Sequence, residues 1–414
     1  MRLMKKNNLI FLLSGTILAL IPGYLIRYNE SVYMWFYERF TTYPGDLWNF
    51  FANYLAKGAH YPPEYPAGLR FFYETFGFYK YQDYTWFFSV NAIILTAFAV
   101  GTTYLLYKII NDRAKAREKI LESHAKMRLP RFPLRQGFEG QVTRNDEIKK
   151  SRVTSYKLQV TNILWFWIFA PTFLFYSFLN YDLPVVFLIV LAVYLYYRKK
   201  NYWAIVALAI GTVVKVFPIF LLPIFILKSP KKDWLKLSLL FIGIVIALNL
   251  PYAIGDFNKW IFPYTWQIGE NVSKSPEAGT YWWIFYPYLK NHLGWTSLGL
   301  FAGLYIFTYL KLRKTSLINL CLAVILIFLA TDRIYSPQYN LYLLPFLALA
   351  DYRVNKKAFY LLEIPNVIHV FAIFWLKEHL VLFQSLIAMK YISIVWLYVS
   401  NYKASKTQKS KLKF

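Results

Sequence analysis

Apolar runs long enough to cross a membrane recur from one end of the chain to the other, and this pattern constrains the fold most. A helix needs roughly 20 apolar residues to cross about 30 Å of hydrocarbon. Within hydrocarbon, only helices and closed barrels satisfy their own backbone polar groups. The chain has 414 residues, of which 57% are hydrophobic. We therefore predict an all-α polytopic membrane protein, with residues 1–414 forming a single integral membrane domain. About 12 transmembrane helices, within a range of 11 to 13, are expected. They are predicted at 9–26, 86–107, 159–178, 183–197, 202–214, 216–228, 237–254, 293–310, 316–331, 338–350, 358–376 and 380–400.

The formal net charge of +26 is spread unevenly over the segments between these runs. If the N-terminus is cytoplasmic, most lysines and arginines fall in inner segments, as the positive-inside rule requires. This predicts a multi-pass protein of the cell membrane with both termini cytoplasmic. The basic inner segments include an insertion at 108–158, which starts as a helical extension, and a mobile tail at 401–414. Both are expected to meet anionic lipid rather than nucleic acid, because no aromatic platform is interleaved with their charges.

Several site classes are absent from the sequence. Cys321 is the single cysteine, which excludes an intramolecular disulfide framework and a cysteine-rich metal site. There is no G-x-x-x-x-G-K-S/T motif and no G-x-G-x-x-G after a strand, so no nucleotide cradle is predicted. The outer histidines His60 and His292 lack metal-ligand spacing. We expect neither a cofactor nor a protein-bound metal.

A polar, proline-rich stretch follows the first predicted span, in an outer loop at 27–85. Asp46 opens the amphipathic segment DLWNFFANYLAKG, which is predicted to form an interfacial helix. A tyrosine-rich run with four prolines follows it. Asp46 either only caps this helix by accepting backbone N–H bonds, or also serves as a catalytic base.

Two further outer turns carry cations. Lys215 lies between two apolar half-spans, where it either snorkels to lipid head groups or binds an anionic ligand. Arg333 presents a fork of donors suited to phosphate, beside Gln338 and Tyr339. The alternative at this turn is that Asp332 merely pairs with Arg333 or caps the next helix.

A third outer turn, FLNYDLPVV, contains Asn180 and Asp182, and it is equally consistent with a plain turn or with part of a site. Counting the crossings places Asp182 on the same membrane face as Asp46, Lys215 and Arg333. This convergence favours a site at the outer surface.

Two charged residues, Glu363 and Lys390, fall inside the last two predicted spans at similar depth. A charge at this depth is costly unless it is paired or used. We predict that they form a structural ion pair.

Three motifs follow one another in an order typical of one enzyme family. An acidic residue in the first outer loop precedes Y-P-P-x-x-P-x-G, then K-x-x-P-x-x-x-L-P, then R-x-x-S-P-Q-Y-x-L-x-x-x-P. This order resembles the GT-C glycosyltransferases, and within them it is most similar to the polyprenyl-phosphate-mannose-dependent mannosyltransferases of glycosyltransferase family 87. The motifs run from Asp46 to Pro345, although the insertion at 108–158 is longer than the family pattern leads us to expect.

The resemblance implies an inverting transfer of a sugar, with mannose expected, from a polyprenyl-phosphate donor to a lipid-linked or protein-linked glycan outside the cell. It implies Asp46 as the general base, and Lys215 and Arg333 as ligands of the donor phosphate. The expected substrate-binding residues are Tyr61, Glu64 and Tyr65 by resemblance, and Asn180, Asp182, Gln338 and Tyr339 from the outer turns. A carrier or flippase for lipid-linked sugars, and a structural subunit of a membrane complex, remain as alternatives.

Overall fold

The computed structural model of the protein describes residues 2–28, 31, 66–67, 69–71, 83–127, 161–268, 276, 279–350, 354–371 and 379–411. Regular structure in these ranges is entirely helical, which confirms the predicted all-α class. The α-helices are α1 Arg2–Arg27, α2 Tyr84–Met127, α3 Pro171–Tyr176, α4 Asp182–Tyr197, α5 Asn201–Val214, α6 Leu222–Lys228, α7 Trp234–Gly255, α8 Phe257–Ile268, α9 Trp282–Leu289, α10 Leu293–Leu312, α11 Leu317–Thr331, α12 Asn340–Leu349, α13 Lys356–Phe371 and α14 Leu380–Lys411.

Five helices of the described part are long and apolar enough to cross a membrane, within α1, α2, α7, α10 and α14. Leu235 and Ile254 on α7 are 71% and 77% exposed, which suits a hydrocarbon environment and would be costly in water. By contrast, α12 has ten residues, all of them buried, and is too short to cross by itself. The expected number of about 12 transmembrane helices therefore stays a prediction.

The segment predicted as one span at 159–178 is instead broken in two. A π-helix at Leu164–Ile168 ends before Ala170, whose backbone is extended, and Pro171 then begins α3. Proline has no N–H to donate and clashes with the preceding turn, so it favours the first turn of a helix, where Pro171 lies. The break directs the first turn of α3 toward α13.

The structure describes the first part of each basic segment, the insertion at 108–158 and the tail at 401–414. The predicted helical extension of the insertion is confirmed, because α2 continues to Met127. The tail at 401–414 is helical as far as Lys411, because α14 runs through these residues, and its expected mobility stays a prediction. This part of the tail contains neither proline nor glycine and is rich in lysine, so helix propensity outweighs its charge.

The core lies around α4, α11 and α12, whose side chains are buried on nearly every face. The helix α4 packs against α2 and α5, while α11 packs against α10, α12 and α14. Helices that are apolar all round belong inside a larger bundle or in lipid, and these three lie inside.

One end of this bundle collects the turns that the sequence singled out, and we call it the Asp182 end. It holds the first residue of α4 and the last residues of α5. The end of α1 and the start of α2 lie here too, because the hydroxyls of Tyr24 and Ser89 are 3.2 Å apart and the Tyr24 ring packs on Phe178. These two helix ends flank the connection that contains Asp46.

Candidate active site

An ion pair between Asp182 and Lys215 forms the centre of the Asp182 end. The Lys215 Nζ lies 2.7 Å from the Asp182 Oδ1. The short turn at 198–200 makes α4 and α5 antiparallel, so the first residue of α4 meets the residue that ends α5. Asp182 is fully buried, whereas 28% of the Lys215 side chain is exposed. The ammonium group can therefore contact a ligand without leaving its carboxylate.

Aromatic side chains surround this pair. The Tyr342 hydroxyl donates to the same Asp182 Oδ1, and the Phe217 ring stacks on Tyr342 with centroids 4.2 Å apart. The Lys215 Nζ lies 5.4 Å from the centroid of the Tyr339 ring, within cation–π range. The second oxygen, Asp182 Oδ2, is buried and has no hydrogen-bond partner within the described ranges. These contacts hold the charges in a low-dielectric setting, where they attract an opposite charge strongly.

Arg333 lies in the connection between α11 and α12, which also holds Tyr339. Its side chain is buried, and the Nη1 atom has no hydrogen-bond partner among the residues that the structure describes. Burial lowers the pKa of the Arg333 guanidinium from its ordinary value, and the neighbouring charge of Asp332 partly opposes this shift. The connection is held locally: the Ile334 N–H donates to the Asp332 carboxylate at 3.0 Å, and the Trp282 indole donates to the Thr331 carbonyl at 2.9 Å. Asp332 thus stabilises its own turn, and this contact caps neither the 3-10 helix that begins at Pro337 nor α12.

A buried polar network lies where the connection between α11 and α12 meets the start of α12. Glu363 accepts hydrogen bonds from the Thr172 N–H and the Asn340 side chain, each at 2.8 Å. The predicted ion pair of Glu363 with Lys390 is wrong, since the described part of the chain has no such contact. The Lys390 ammonium lies instead 3.9 Å from the centroid of the Tyr335 ring. Similar depth in two spans did not bring the charges together, because their faces turn toward different neighbours.

The model of glycosyltransferase family 87 matches residues 85–350, more than half of the chain. The chain belongs to glycosyltransferase family 87. The match confirms the resemblance seen in the sequence, and it contains Asp182, Lys215 and Arg333. A comparison with curated proteins finds no match.

In this family 87 glycosyltransferase, Asn180, Asp182, Lys215, Gln338 and Tyr339 all lie at or beside the Asp182 end. Asn180 and Gln338 are buried, Asn180 in the turn that precedes α4 and Gln338 in the short 3-10 helix Pro337–Tyr339. Arg333 is described too, in the connection between α11 and α12, and the role of every predicted site residue stays a prediction. The remaining predicted site residues fall outside the described residues. These are Asp46, Tyr61, Glu64 and Tyr65.

Sequence reasoning missed several buried polar residues at or near the candidate site. Tyr342 was passed over because it lies in an apolar run, although it follows Tyr339 at the spacing of one helical turn. Asn340, Thr172 and Asn366 are buried amides or hydroxyls, and each has at least one partner distant in the chain. Their only local signal is a polar group placed in an apolar run. The described ranges also contain no group of three or more His, Cys, Asp or Glu side chains able to hold a metal ion.

Proposed function

We propose that this family 87 glycosyltransferase is an inverting hexosyltransferase that takes its sugar from a polyprenyl-phosphate donor. Mannose is the first candidate sugar, and the acceptor is a lipid-linked or protein-linked glycan at the outer face of the membrane. The observation that supports this most is the buried Arg333 guanidinium, whose Nη1 has no protein partner in the described ranges. A buried donor without a partner is costly, and a charged ligand oxygen would offset that cost.

The charges of the site fit such a donor. Asp182 and Lys215 form a neutral pair, and Arg333 adds a positive charge that the neighbouring Asp332 partly offsets. A sugar linked through a phosphodiester carries one negative charge, which Arg333 would balance. When the sugar leaves, the phosphate becomes a monoester and gains negative charge. Lys215, whose side chain is partly exposed, is suited to stabilise this developing charge, an interaction stronger in the transition state than in the ground state.

The proposed transfer is a single displacement. Asp46 accepts the proton of an acceptor hydroxyl, and the hydroxyl oxygen forms a bond to the anomeric carbon. The bond between that carbon and the phosphate oxygen breaks, and its electron pair leaves with the phosphate. Attack from the face opposite the leaving group inverts the configuration. The energy is stored in the donor, so the reaction needs no nucleotide outside the cell.

The test uses the purified full-length protein in lipid nanodiscs, with radiolabelled polyprenyl-phosphate-mannose and a membrane lipid extract. We expect a labelled glycan product from the wild type and no product from Asp46→Asn. Asp83→Asn is the matched control, because Asp83 is the carboxylate that accepts from the Trp86 N–H at the start of α2, and asparagine can also cap a helix. Near-wild-type transfer by Asp46→Asn would refute the base assignment. Movement of intact donor across a bilayer without any product would favour the carrier alternative.

A further inference from the structure

Glu363 is a fully buried carboxylate that the proposed chemistry does not use. It lies on α13, beyond residues 85–350 that match the family. One oxygen accepts from the Asn340 Nδ2 and the other from the Thr172 backbone N–H, both at 2.8 Å. Glu363 therefore links α13 to the first residue of α12 and to the first turn of α3.

The same network holds the connection between α11 and α12 at three points. The Tyr335 hydroxyl donates to the Asn340 Oδ1, and Asn340 in turn donates to Glu363. Asn366 follows Glu363 on α13 and donates its Nδ2 to the Pro337 carbonyl at 2.8 Å and to the Thr172 hydroxyl at 3.3 Å. The segment from Tyr335 to Asn340 is thus tied at both ends and in the middle.

This segment presents the side chains of the candidate site. Arg333 precedes it, and Tyr339, whose ring contacts the Lys215 ammonium, lies within it. A displacement of the segment would move both the guanidinium and the aromatic ring relative to a donor phosphate. An error of about 1 Å in such a position can cost roughly 100-fold in rate.

The charge of Glu363 explains why a carboxylate occupies this position. An ionised carboxylate only accepts hydrogen bonds, so both of its neighbours must donate. It thereby directs the Asn340 Nδ2 toward α13 and leaves the Asn340 Oδ1 for the Tyr335 hydroxyl. A glutamine would place an N–H donor against one of the two groups that donate to Glu363, the Asn340 Nδ2 or the Thr172 N–H. The orientation of the Asn340 amide would then no longer be determined.

We propose that Glu363 is a positioning residue, which acts through Asn340 to hold the Arg333–Tyr339 segment in the geometry that binds the donor phosphate. The predicted effect of Glu363 on donor binding and catalysis rests on the proposed function. The structural part of the inference, that Glu363 holds the segment, is separately testable.

Three variants of the full-length protein in nanodiscs test the proposal: Glu363→Gln, Asn340→Asp and the double variant. In each single variant, the present orientation of residue 340 would bring two donors or two acceptors together. In the double variant the new amide donates to the new carboxylate, the amide oxygen accepts from the Thr172 N–H, and the Tyr335 hydroxyl keeps an acceptor. Asn401→Asp is the control, because Asn401 is a buried asparagine that donates to the Asn319 carbonyl at the opposite end of α11 from Arg333.

We expect Glu363→Gln to raise the donor KM at least about fivefold, the equivalent of one unsatisfied buried hydrogen-bonding group, with the acceptor KM unchanged. The double variant should return the donor KM to within about twofold of wild type. Hydrogen exchange of the peptide covering residues 333–340 should quicken in the single variants and slow again in the double variant. The Asn401→Asp control should leave the donor KM as it is.

The proposal is overturned if Glu363→Gln lowers only the melting temperature, or if the double variant is no better than the single ones. If Glu363→Gln does not fold, the double variant decides: wild-type donor KM supports the proposal, and a raised KM or failure to fold overturns it. If the wild type transfers nothing from any polyprenyl-phosphate sugar, the proposed function fails. Hydrogen exchange then still decides whether Glu363 holds the segment.

Discussion

At the residue scale, the candidate site has three charged side chains, and each has different surroundings. Asp182 is buried but accepts from Lys215 and Tyr342. Lys215 has its carboxylate partner and the face of the Tyr339 ring. Arg333 relies on its own high basicity, because a guanidinium whose pKa is lowered by burial remains protonated at neutral pH. The proposed phosphate ligand would meet the cations of Lys215 and Arg333.

The Asp182–Lys215 pair is predicted to serve both stability and transfer. Lys215→Met leaves a buried carboxylate without its partner and should cost roughly 2–3 kcal/mol, less than a fully buried pair because Lys215 is partly exposed. The double variant Lys215→Met/Asp182→Asn should recover most of that stability, measured as the melting temperature, yet remain deficient in transfer. Recovery of full transfer in the double variant would mean that the pair is only structural.

Arg333 is predicted to require its planar fork as well as its charge. Arg333→Ala should raise the donor KM at least about tenfold, and Arg333→Lys should recover only part of that loss, since an ammonium cannot bind two phosphate oxygens side by side. Initial rates at varied donor and fixed acceptor measure this. A rise confined to the acceptor KM would count against the phosphate role.

At the scale of elements, close helix contacts and one helix break shape the Asp182 end. Gly23 on α1 lies against α3, where an added Cβ would be 2.7 Å from the Leu174 carbonyl oxygen. Small residues allow such backbone approach between helices in membranes. Because Pro171 starts α3 afresh after the π-helix, the Thr172 N–H lies free of an intrahelical partner and meets Glu363.

Gly23→Ala is predicted to destabilise the protein by about 1–3 kcal/mol, because the clash is with backbone and cannot be relieved by a side-chain rotation. Gly15→Ala on the same helix is the control. Its added Cβ would lie 3.9 Å from Ile168, an ordinary contact. The melting temperatures of the two variants in detergent, compared with wild type, provide the measurement. Equal melting temperatures for both variants would contradict the predicted close approach.

At the scale of the whole molecule, the uneven distribution of lysine and arginine predicts which end of the helical bundle faces the outside of the cell. The arrangement of the helices does not determine this orientation. The five long apolar helices and the shorter buried ones establish the character of a membrane protein. The Asp182 end is expected outside, opposite to the basic inner segments. A donor carried on a polyprenyl lipid would then reach the site from the outer leaflet.

Cysteine labelling tests this orientation directly. In a Cys321→Ser background, which removes the single, buried cysteine, Ser31→Cys should react with a membrane-impermeant maleimide in intact cells. Thr407→Cys, at an exposed position on α14, should react only after permeabilisation. The reverse pattern would place the Asp182 end in the cytoplasm and exclude the proposed outer-face transfer.

The sequence alone determined the class of this protein and where its chemistry is sought. Hydropathy and charge bias depend on each segment and its solvent, so the helices and the polar turns with Asp182, Lys215 and Arg333 were predictable from local composition. Only the tertiary structure decided which charges meet. It paired Lys215 with Asp182, separated Glu363 from Lys390, and divided the segment 159–178 at Pro171. Such contacts depend on helix rotation and packing between residues distant in the chain, and periodicity along the chain does not encode which faces come together.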